Sequence, residues 1–481
     1  MNKNNFAPIA DAMQKYSDDG ALAFHTPGHK QGLGAHSLLK NLVTAEGLRQ
    51  EVSLMEELDD LHSPHSCIKA AEKFAAELWH ADDALFMING TSSAIQAMIL
   101  ATLKPNDLVF VPRNSHRAVT AGLILSGAVP IFLPVDFSAE LKIPLNVTAS
   151  TIRRAIKKFP QARALILTSP NYYGVAADVK GIAEMLHAAG MLLLVDEAHG
   201  AHLQFCERLP MSAMDAGADL AAQSTHKLLG SMTQTSMLMV RKNFVDVDAV
   251  RRAASLLQTT SPNQLLLASL DIARLQMAEV GREKILNAVE LSQRLRAEVQ
   301  KISALKTFDA VKDFELDLTK VTVNVEGAGL TGIDAEKILR HKFKIQCELS
   351  DAANLLFIIS YADDDAVISK LSLGLKALSL ELPATGYKLP ATSYPLPATG
   401  YQLPAITPRE IFFAESELVP LEKSVGRICA EEVTFYPPGI PILNMGERIT
   451  AEVVKEILAL KKIGGRTLND AAFIKVLACS L

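Results

Sequence analysis

Cysteine is scarce and scattered in this chain of 481 residues. Cys67, Cys206, Cys347, Cys429 and Cys479 are odd in number and never spaced as CxxC, so neither a disulfide framework nor a zinc ribbon follows. Long apolar runs are missing too. No stretch reaches about 18 apolar residues free of charge, so no membrane span is predicted. Met1 to Ala10 lacks the apolar core of a secretory signal, and a cytoplasmic protein is the expectation that follows. Charge of one sign is also lacking. A net charge of −5 leaves no basic footprint, so nucleic acid is not an expected partner. What is present, 49% hydrophobic and 21% charged residues, is the composition of an ordinary globular protein, with length for two or three domains.

Residues 1–80 read as an irregular lead-in that contains helix. His25 and His29 have the i, i+4 spacing of a helical metal site, but Pro27-Gly28 between them breaks any helix. Ile68 to His80 is an amphipathic helix, with Ile68, Ala71, Phe74, Ala75, Leu78 and Trp79 on or near one face. Residues 81–304 alternate short apolar runs with segments of helical period. The runs are Leu85–Ile88, Leu108–Val111, Val129–Leu133, Ala164–Leu167, Met191–Val195, Asp219–Gln223 and Ser236–Val240. Continuous apolar strands alternating with helices predict an α/β domain whose mainly parallel sheet is covered on both faces. A long helical region, Pro262 to Ala304, closes it. Residues 305–381 suggest a smaller α+β unit with strands Val321–Val325, Lys344–Leu349 and Leu355–Ser360 and a helix Asp364–Leu380.

Residues 382–405 repeat a heptapeptide with proline every seventh position, which forbids helix and suits an extended linker. Leu382–Gly386 and Leu396–Gly400 match the cell-wall sorting pentapeptide LPxTG. That pattern needs secretion and a following apolar, basic tail, so an inserted linker is the reading. Residues 406–481 form a C-terminal domain, with Tyr436-Pro-Pro-Gly-Ile-Pro441 as a rigid turn.

Three strand ends carry the chemistry. In an open α/β sheet, ligands bind beyond the carboxyl ends of the strands. Asp196 emerges there after five apolar residues, where it either serves a ligand or caps a following helix. Asn89-Gly90-Thr91-Ser92-Ser93 opens a helix from Ala94 to Leu103; free N–H groups, a glycine and hydroxyls suit a phosphate, and a plain helix cap is the alternative. Pro112 to Arg117 follows a third strand, as a ligand-facing or ordinary polar loop. Lys227 lies on a loop between two buried strands. Desolvation there would lower its pKa and free a neutral amine for a carbonyl, whereas an exposed turn would leave it inert. Taken together the pieces fit pyridoxal phosphate. Its phosphate goes to the helix of Thr91 and Ser92, Asp196 keeps the pyridine nitrogen protonated, and Lys227 binds the aldehyde. Ala198 shares the face of Asp196 and is small enough to pack under the ring, and His116 is the candidate to stack over it.

At these residues the chain resembles the fold type I (aspartate-aminotransferase-like) ornithine/lysine/arginine decarboxylases, closest to the short bacterial arginine/lysine decarboxylases. The resemblance rests on Gly90-Thr-Ser92, Arg113-Asn-Ser-His116, Asp196-Glu-Ala-His199, Ser224-Thr-His-Lys227 and Tyr436-Pro-Pro-Gly-Ile-Pro441. It also takes in Phe24-His-Thr-Pro-Gly-His-Lys30, Leu58-Asp-Asp-Leu-His62 and Thr259-Thr-Ser-Pro262. It covers nearly the whole chain apart from the 382–405 repeat. It implies a homodimer with the active site at the subunit interface, Ser224 and His226 near the phosphate, and Thr259, Thr260 or Ser261 reaching the partner's phosphate. The resemblance to the short members implies a chain without the long members' N-terminal regulatory domain, and Glu197-Ala198 stands where the long members carry bulky aromatics.

The implied reaction is decarboxylation of a basic L-amino acid, arginine or lysine with ornithine as a third candidate, to agmatine, cadaverine or putrescine in polyamine metabolism. Lys227, His199 or another acid would return the proton to Cα. Two rivals remain: an aminotransferase of the same fold, with Arg340 gripping the substrate carboxylate, and a silent regulatory paralogue. His199 and His202 form HxxH, but Gly200 and the loop setting favour a cofactor contact for His199 and a structural role for His202. Glu197, Glu56, Glu57, Asp59 and Asp60 are open candidates for the substrate's distal charge.

Overall fold

The computed structural model describes residues 6–380, 401, 403–436, 440–462, 466–467 and 472–478. Its centre is a seven-stranded sheet. The strands are β1 (Asp83–Met87), β2 (Leu108–Pro112), β3 (Val129–Leu133), β4 (Ala164–Thr168), β5 (Leu192–Asp196), β6 (Leu220–Gln223) and β7 (Ser236–Val240). Their order is β1-β7-β6-β5-β4-β2-β3. The five neighbours from β6 to β3 run parallel, as their continuous apolar runs predict, and β7 is antiparallel to both its neighbours. Successive side chains point to opposite faces. Phe86, Phe110, Leu165, Leu193 and Met237 therefore enter one apolar core and Leu85, Val109, Ile166, Leu194 and Leu238 another. Covering helices include α1 (Gly90–Thr102) and α2 (Arg117–Ser126), both on the second face.

The long helix α3 (Gln264–Gln300) runs 37 residues. Its first half buries Leu267, Leu270 and Met277 against the central sheet. Its second half buries Leu291, Leu295 and Val299 in a separate core with the smaller sheet. That sheet is antiparallel, in the order β8 (Lys306–Thr307), β9 (Lys320–Asn324), β11 (Asn354–Ile358), β10 (Leu349–Ser350). The strand expected over Lys344–Leu349 is reduced to the two residues of β10. Ile345, Cys347 and Leu349 alternate as a strand would, but Leu339–Phe343 forms a π-helical turn and Lys344 is left-handed, with φ 55°. Ile345 N then donates to Leu339 O (3.1 Å), so this segment closes a helix instead of extending a ladder.

In the C-terminal region, Ser416–Pro420 pairs with Phe473–Leu477, and the helix Ala451–Lys462 packs Val453, Ile457 and Leu460 into a core with Cys429 and Ile474. Two arginines are among the contacts that tie this region to the central domain. Arg409 Nη1 donates to the carbonyls of Ile124 and Leu125, at the end of α2 (3.0 and 2.8 Å). Arg113, just past β2, pairs with Glu447, and both are buried. Most of the 382–405 repeat and the Pro437-Pro438-Gly439 part of the expected rigid turn lie outside the described residues. No helix among the described residues is long and apolar enough to cross a membrane. The chain's single tryptophan, Trp79, follows the helix Cys67–Leu78 and is 1% exposed. Its Nε1–H donates to Ala201 O (3.0 Å), and its ring meets Phe205 edge-on at 5.5 Å.

Candidate active site

The carboxyl ends of the parallel strands converge on one cavity of about 520 Å³. Gly90, Thr91 and Ser92 reach it from beyond β1, Asn114 and His116 from beyond β2, and Thr168 and Tyr172 from β4 and the loop after it. Asp196, Ala198 and His199 come from the end of β5, and Ser224, His226 and Lys227 from the end of β6. Glu348 and Ile358 close it from the smaller sheet. This is the switch-point geometry expected of an open α/β sheet.

Asp196 is 2% exposed, and its Oδ1 accepts from Ala198 N (3.1 Å). Burial raises its carboxyl above the ordinary range, and the neighbouring charges of His116 and Lys227 oppose that rise. Lys227 sits in a one-turn helix, Thr225–Leu228, instead of the expected loop. That turn starts directly after β6, so a buried strand end fixes where the lysine stands. Burial lowers its pKa, as the sequence argument required. Its Nζ lies 3.0 Å from His199 Nε2 and 5.8 Å from the centre of the Tyr172 ring. His199 is 4% exposed and packs on Tyr172, with ring centres 4.6 Å apart. Its Nδ1 lies 3.0 Å from Lys320 Nζ. Burial first, and then the charge of Lys320, push His199 well below its usual pKa.

A chain of hydroxyls lines the other end. Ser236 Oγ donates to Gln223 O (2.7 Å) and Thr91 Oγ1 donates to Ser236 Oγ (2.9 Å). With its proton so committed, Thr91 Oγ1 accepts from Ser224 Oγ (2.5 Å). Gly90 takes a left-handed φ of 81° at the first position of α1. No side chain caps that helix, so the N–H groups of its first turn are available to an anion. His116 caps α2 through Ala118 N (3.2 Å), and burial lowers its pKa. His226 Nδ1–H donates to Thr235 O (2.6 Å).

Thr259 and Thr260 are not brought to this cavity. Both are exposed, and the Thr259 carbonyl accepts from His62 Nε2 (2.9 Å). Arg340 also stands apart, exposed and paired with Glu336 (2.8 Å). Glu197, one step along β5 from Asp196, points to the opposite face, where Ala213 N and Gln223 Nε2 donate to it (both 2.7 Å). Asp59 is buried and accepts from the N–H groups of Ser66 and Ile68 at the start of the helix Cys67–Leu78 (2.7 and 3.0 Å). Neither carboxylate is free for a ligand. His202 is structural, as expected, 3.2 Å from buried Asp317. The sequence reading missed Tyr172, Thr168, Glu348 and Lys320 and passed over Asn114 inside a quoted motif. A lysine heading the apolar run Val321–Val325 was the one local signal, because strand ends of that kind are buried.

These residues fit pyridoxal phosphate. Asp196 is a buried carboxylate short of donors, suited to a protonated pyridine nitrogen. Lys227 is a desolvated amine, suited to an aldehyde. An uncapped helix start beside three hydroxyls suits a phosphate, and the cavity admits cofactor and a small substrate together.

Comparison with known proteins agrees. The sequence profile of the Orn/Lys/Arg decarboxylase major domain matches residues 7–323, and that of the family's C-terminal domain matches residues 396–466. An arginine decarboxylase of Bacillus subtilis is 39% identical over 455 residues, covering 94% of this chain and 92% of the relative. The lysine decarboxylase LdcF of Francisella novicida superposes with a TM-score of 0.83 at 22% identity, over 99% of this chain and 82% of that one. An alanine–glyoxylate aminotransferase from Nostoc shares the fold more distantly, with a TM-score of 0.52 at 17% identity over 64% of this chain and 85% of that one.

Proposed function

The chain belongs to the Orn/Lys/Arg decarboxylase family, and on that premise we propose that its substrate is arginine and that Lys227 is its cofactor lysine. It is a pyridoxal-phosphate-dependent decarboxylase of a basic amino acid with the fold type I architecture. Arginine is favoured by the relative that covers nearly the whole chain. The observation that carries the site assignment is the meeting of Lys227, Asp196 and the start of α1 in one cavity.

Bound there, pyridoxal phosphate supplies a conjugated ring that accepts the electrons left at Cα when carbon dioxide departs. Asp196 holds the proton on the ring nitrogen. Thr91, Ser92, Ser224 and His226 bind the phosphate end, with Gly90 allowing close approach. Ala198 and His116, which both line the cavity, would hold the ring between them. Lys227 Nζ, desolvated by burial, would hold the cofactor through its aldehyde. His199 Nε2, 3.0 Å from that nitrogen, can hold the proton that Cα receives. Ile95 and Ile358 make part of the wall apolar, which favours loss of the charged carboxylate as neutral carbon dioxide. Of the described residues lining the cavity only Asp196 and Glu348 are acidic, and Glu348 takes the guanidinium. The product is agmatine, a step of polyamine metabolism, made by a cytoplasmic homodimer in which Thr259 and Thr260 reach the partner's phosphate.

The aminotransferase reading would need a carboxylate-gripping arginine, and Arg340 is paired and exposed. A silent paralogue would not need a desolvated lysine facing a buried aspartate. Carbon dioxide release from arginine, lysine and ornithine, each with pyridoxal phosphate and with Lys227→Ala as control, tests the reading. Turnover of arginine that disappears in the variant is expected. Turnover of none, or consumption of 2-oxoglutarate, would refute it.

A further inference from the structure

Tyr172 and Glu348 meet across the mouth of the cavity. Tyr172 belongs to the loop after β4, and Glu348 stands directly before β10 of the smaller sheet. The Tyr172 hydroxyl donates to Glu348 Oε1 (2.5 Å). Tyr172 is half-buried and Glu348 exposed, whereas Asp196 and His199 are buried. The pair therefore marks the outer end of the cavity, where a substrate with its α-amine at Lys227 puts its far end. No step above uses Tyr172. An exposed carboxylate alone draws a guanidinium and an ammonium about equally, because water screens a bare charge. Choice between the two must come from geometry. A guanidinium is a planar fork of N–H donors that suits acceptors side by side, and an ammonium is a point charge.

We propose that Tyr172 is a specificity-determining residue whose hydroxyl oxygen receives the substrate's guanidinium together with Glu348. This rests on the assignment of the guanidinium to Glu348 made above. A phenol whose proton is committed to a carboxylate is left an acceptor. Its oxygen stands 2.5 Å from Glu348 Oε1, so one planar fork can reach both. An ammonium can turn to satisfy Glu348 alone and gains less from the second oxygen. The fold holds the phenol in place from both sides. Asn171 Nδ2 donates to the carbonyls of Pro144 and Leu145 (3.0 and 2.6 Å), and its Oδ1 accepts from Tyr173 N and Val175 N (both 3.0 Å). Tyr173 is fully buried, and its hydroxyl donates to Asp351 Oδ2 (2.7 Å). Two neighbouring tyrosines of one loop thus reach carboxylates on either side of β10. Glu348 N donates to Leu356 O (2.9 Å), which ties its backbone to β11. The Tyr172 ring packs on His199, with ring centres 4.6 Å apart, so its oxygen is aimed and does not swing freely.

Calorimetric binding of agmatine and of cadaverine to the full chain with pyridoxal phosphate tests this, and it needs no turnover. The two amines differ chiefly in carrying a guanidinium or an ammonium at the far end. Tyr172→Phe keeps the ring on His199 and removes the oxygen. Its Kd for agmatine should rise about tenfold, while that for cadaverine moves by less than about threefold. KM for arginine should rise with the agmatine Kd, and kcat should stay within about threefold. In a Glu348→Gln background, Tyr172→Phe should add less than about threefold for agmatine, because both oxygens serve one group. An agmatine-to-cadaverine ratio in Tyr172→Phe within about twofold of the unsubstituted protein overturns the proposal. Tyr173→Phe cuts the neighbouring bond to Asp351 and should leave that ratio unchanged. A shift there as large as in Tyr172→Phe would trace the effect to a loosened loop and overturn the proposal as well. Glu348→Gln decides the reading beneath it. Agmatine binding unchanged in Glu348→Gln overturns the assignment of Glu348 and this proposal with it. Weakened binding there beside an unmoved Tyr172→Phe overturns the role of Tyr172 alone.

Discussion

Glu447→Gln removes one charge, at nearly constant volume, from the buried pair that joins the C-terminal region to the loop carrying Asn114 and His116. Arg113 is 4% exposed and Glu447 8%. Asn444 N and Nδ2 also donate to Glu447 (2.9 and 3.2 Å), so the carboxylate is the hub of this contact. Removing one partner of a buried pair costs about 3–5 kcal/mol, because the guanidinium loses its buried counter-charge. The Phe132 ring, 5.2 Å from the guanidinium, remains and offsets about 1 kcal/mol. The net of about 2–4 kcal/mol falls on one contact between two cores, so it should appear as local opening rather than global unfolding. At 1.4 kcal/mol per decade this is a rise of about 30- to 700-fold in the opening equilibrium. Amide hydrogen exchange in peptides spanning residues 113–126 measures it. Activity should fall by about tenfold in parallel, because His116 belongs to the loosened loop. The double variant with Arg113→Met removes the buried cation together with its counter-charge and should exchange more slowly than Glu447→Gln alone. Exchange within threefold of the unsubstituted protein, or a double variant worse than the sum of its parts, refutes the reasoning.

Asp196→Asn keeps the shape and removes the charge, so kcat should fall about a hundredfold or more while borohydride still traps the cofactor on Lys227. Glu197 is pushed up to about 8 by burial, so between the ordinary carboxylate range and pH 8 the folded state holds a proton that the unfolded state has lost. Stability should therefore decline as pH rises through that window, by at most about 1.4 kcal/mol per unit from this group, and Glu197→Gln should flatten the decline in Tm. Arg340→Ala should leave carbon dioxide release within twofold; a large loss would revive the aminotransferase reading.

The central sheet was legible because each strand is a short apolar run buried on both faces, a pattern that does not depend on distant partners. That Asp196, Thr91 and Lys227 meet at one end of the sheet was legible for a related reason: a polar residue at, or a few positions past, the end of such a run lies near the strand's carboxyl end. The details that failed depend on contacts remote in sequence. Lys344–Leu349 alternates like a strand, yet the bond from Ile345 N back to Leu339 O claims its backbone for a helix end. Glu348 enters the cavity because the smaller sheet folds over the larger, which no local pattern encodes. Lys320 becomes chemically interesting only beside His199, 121 positions away. Glu197 and Asp59 looked like free charges in a string of letters; one faces the wrong side of a strand and the other is consumed by a helix start.

The lone tryptophan turns out to be a built-in lamp. Trp79 hangs by its indole N–H from the carbonyl of Ala201, two positions past His199. Emission from this protein therefore originates within one turn of chain from the His199 imidazole. A shift in its colour or intensity on adding cofactor or substrate reports the posture of that turn, without a label and without contributions from other indoles.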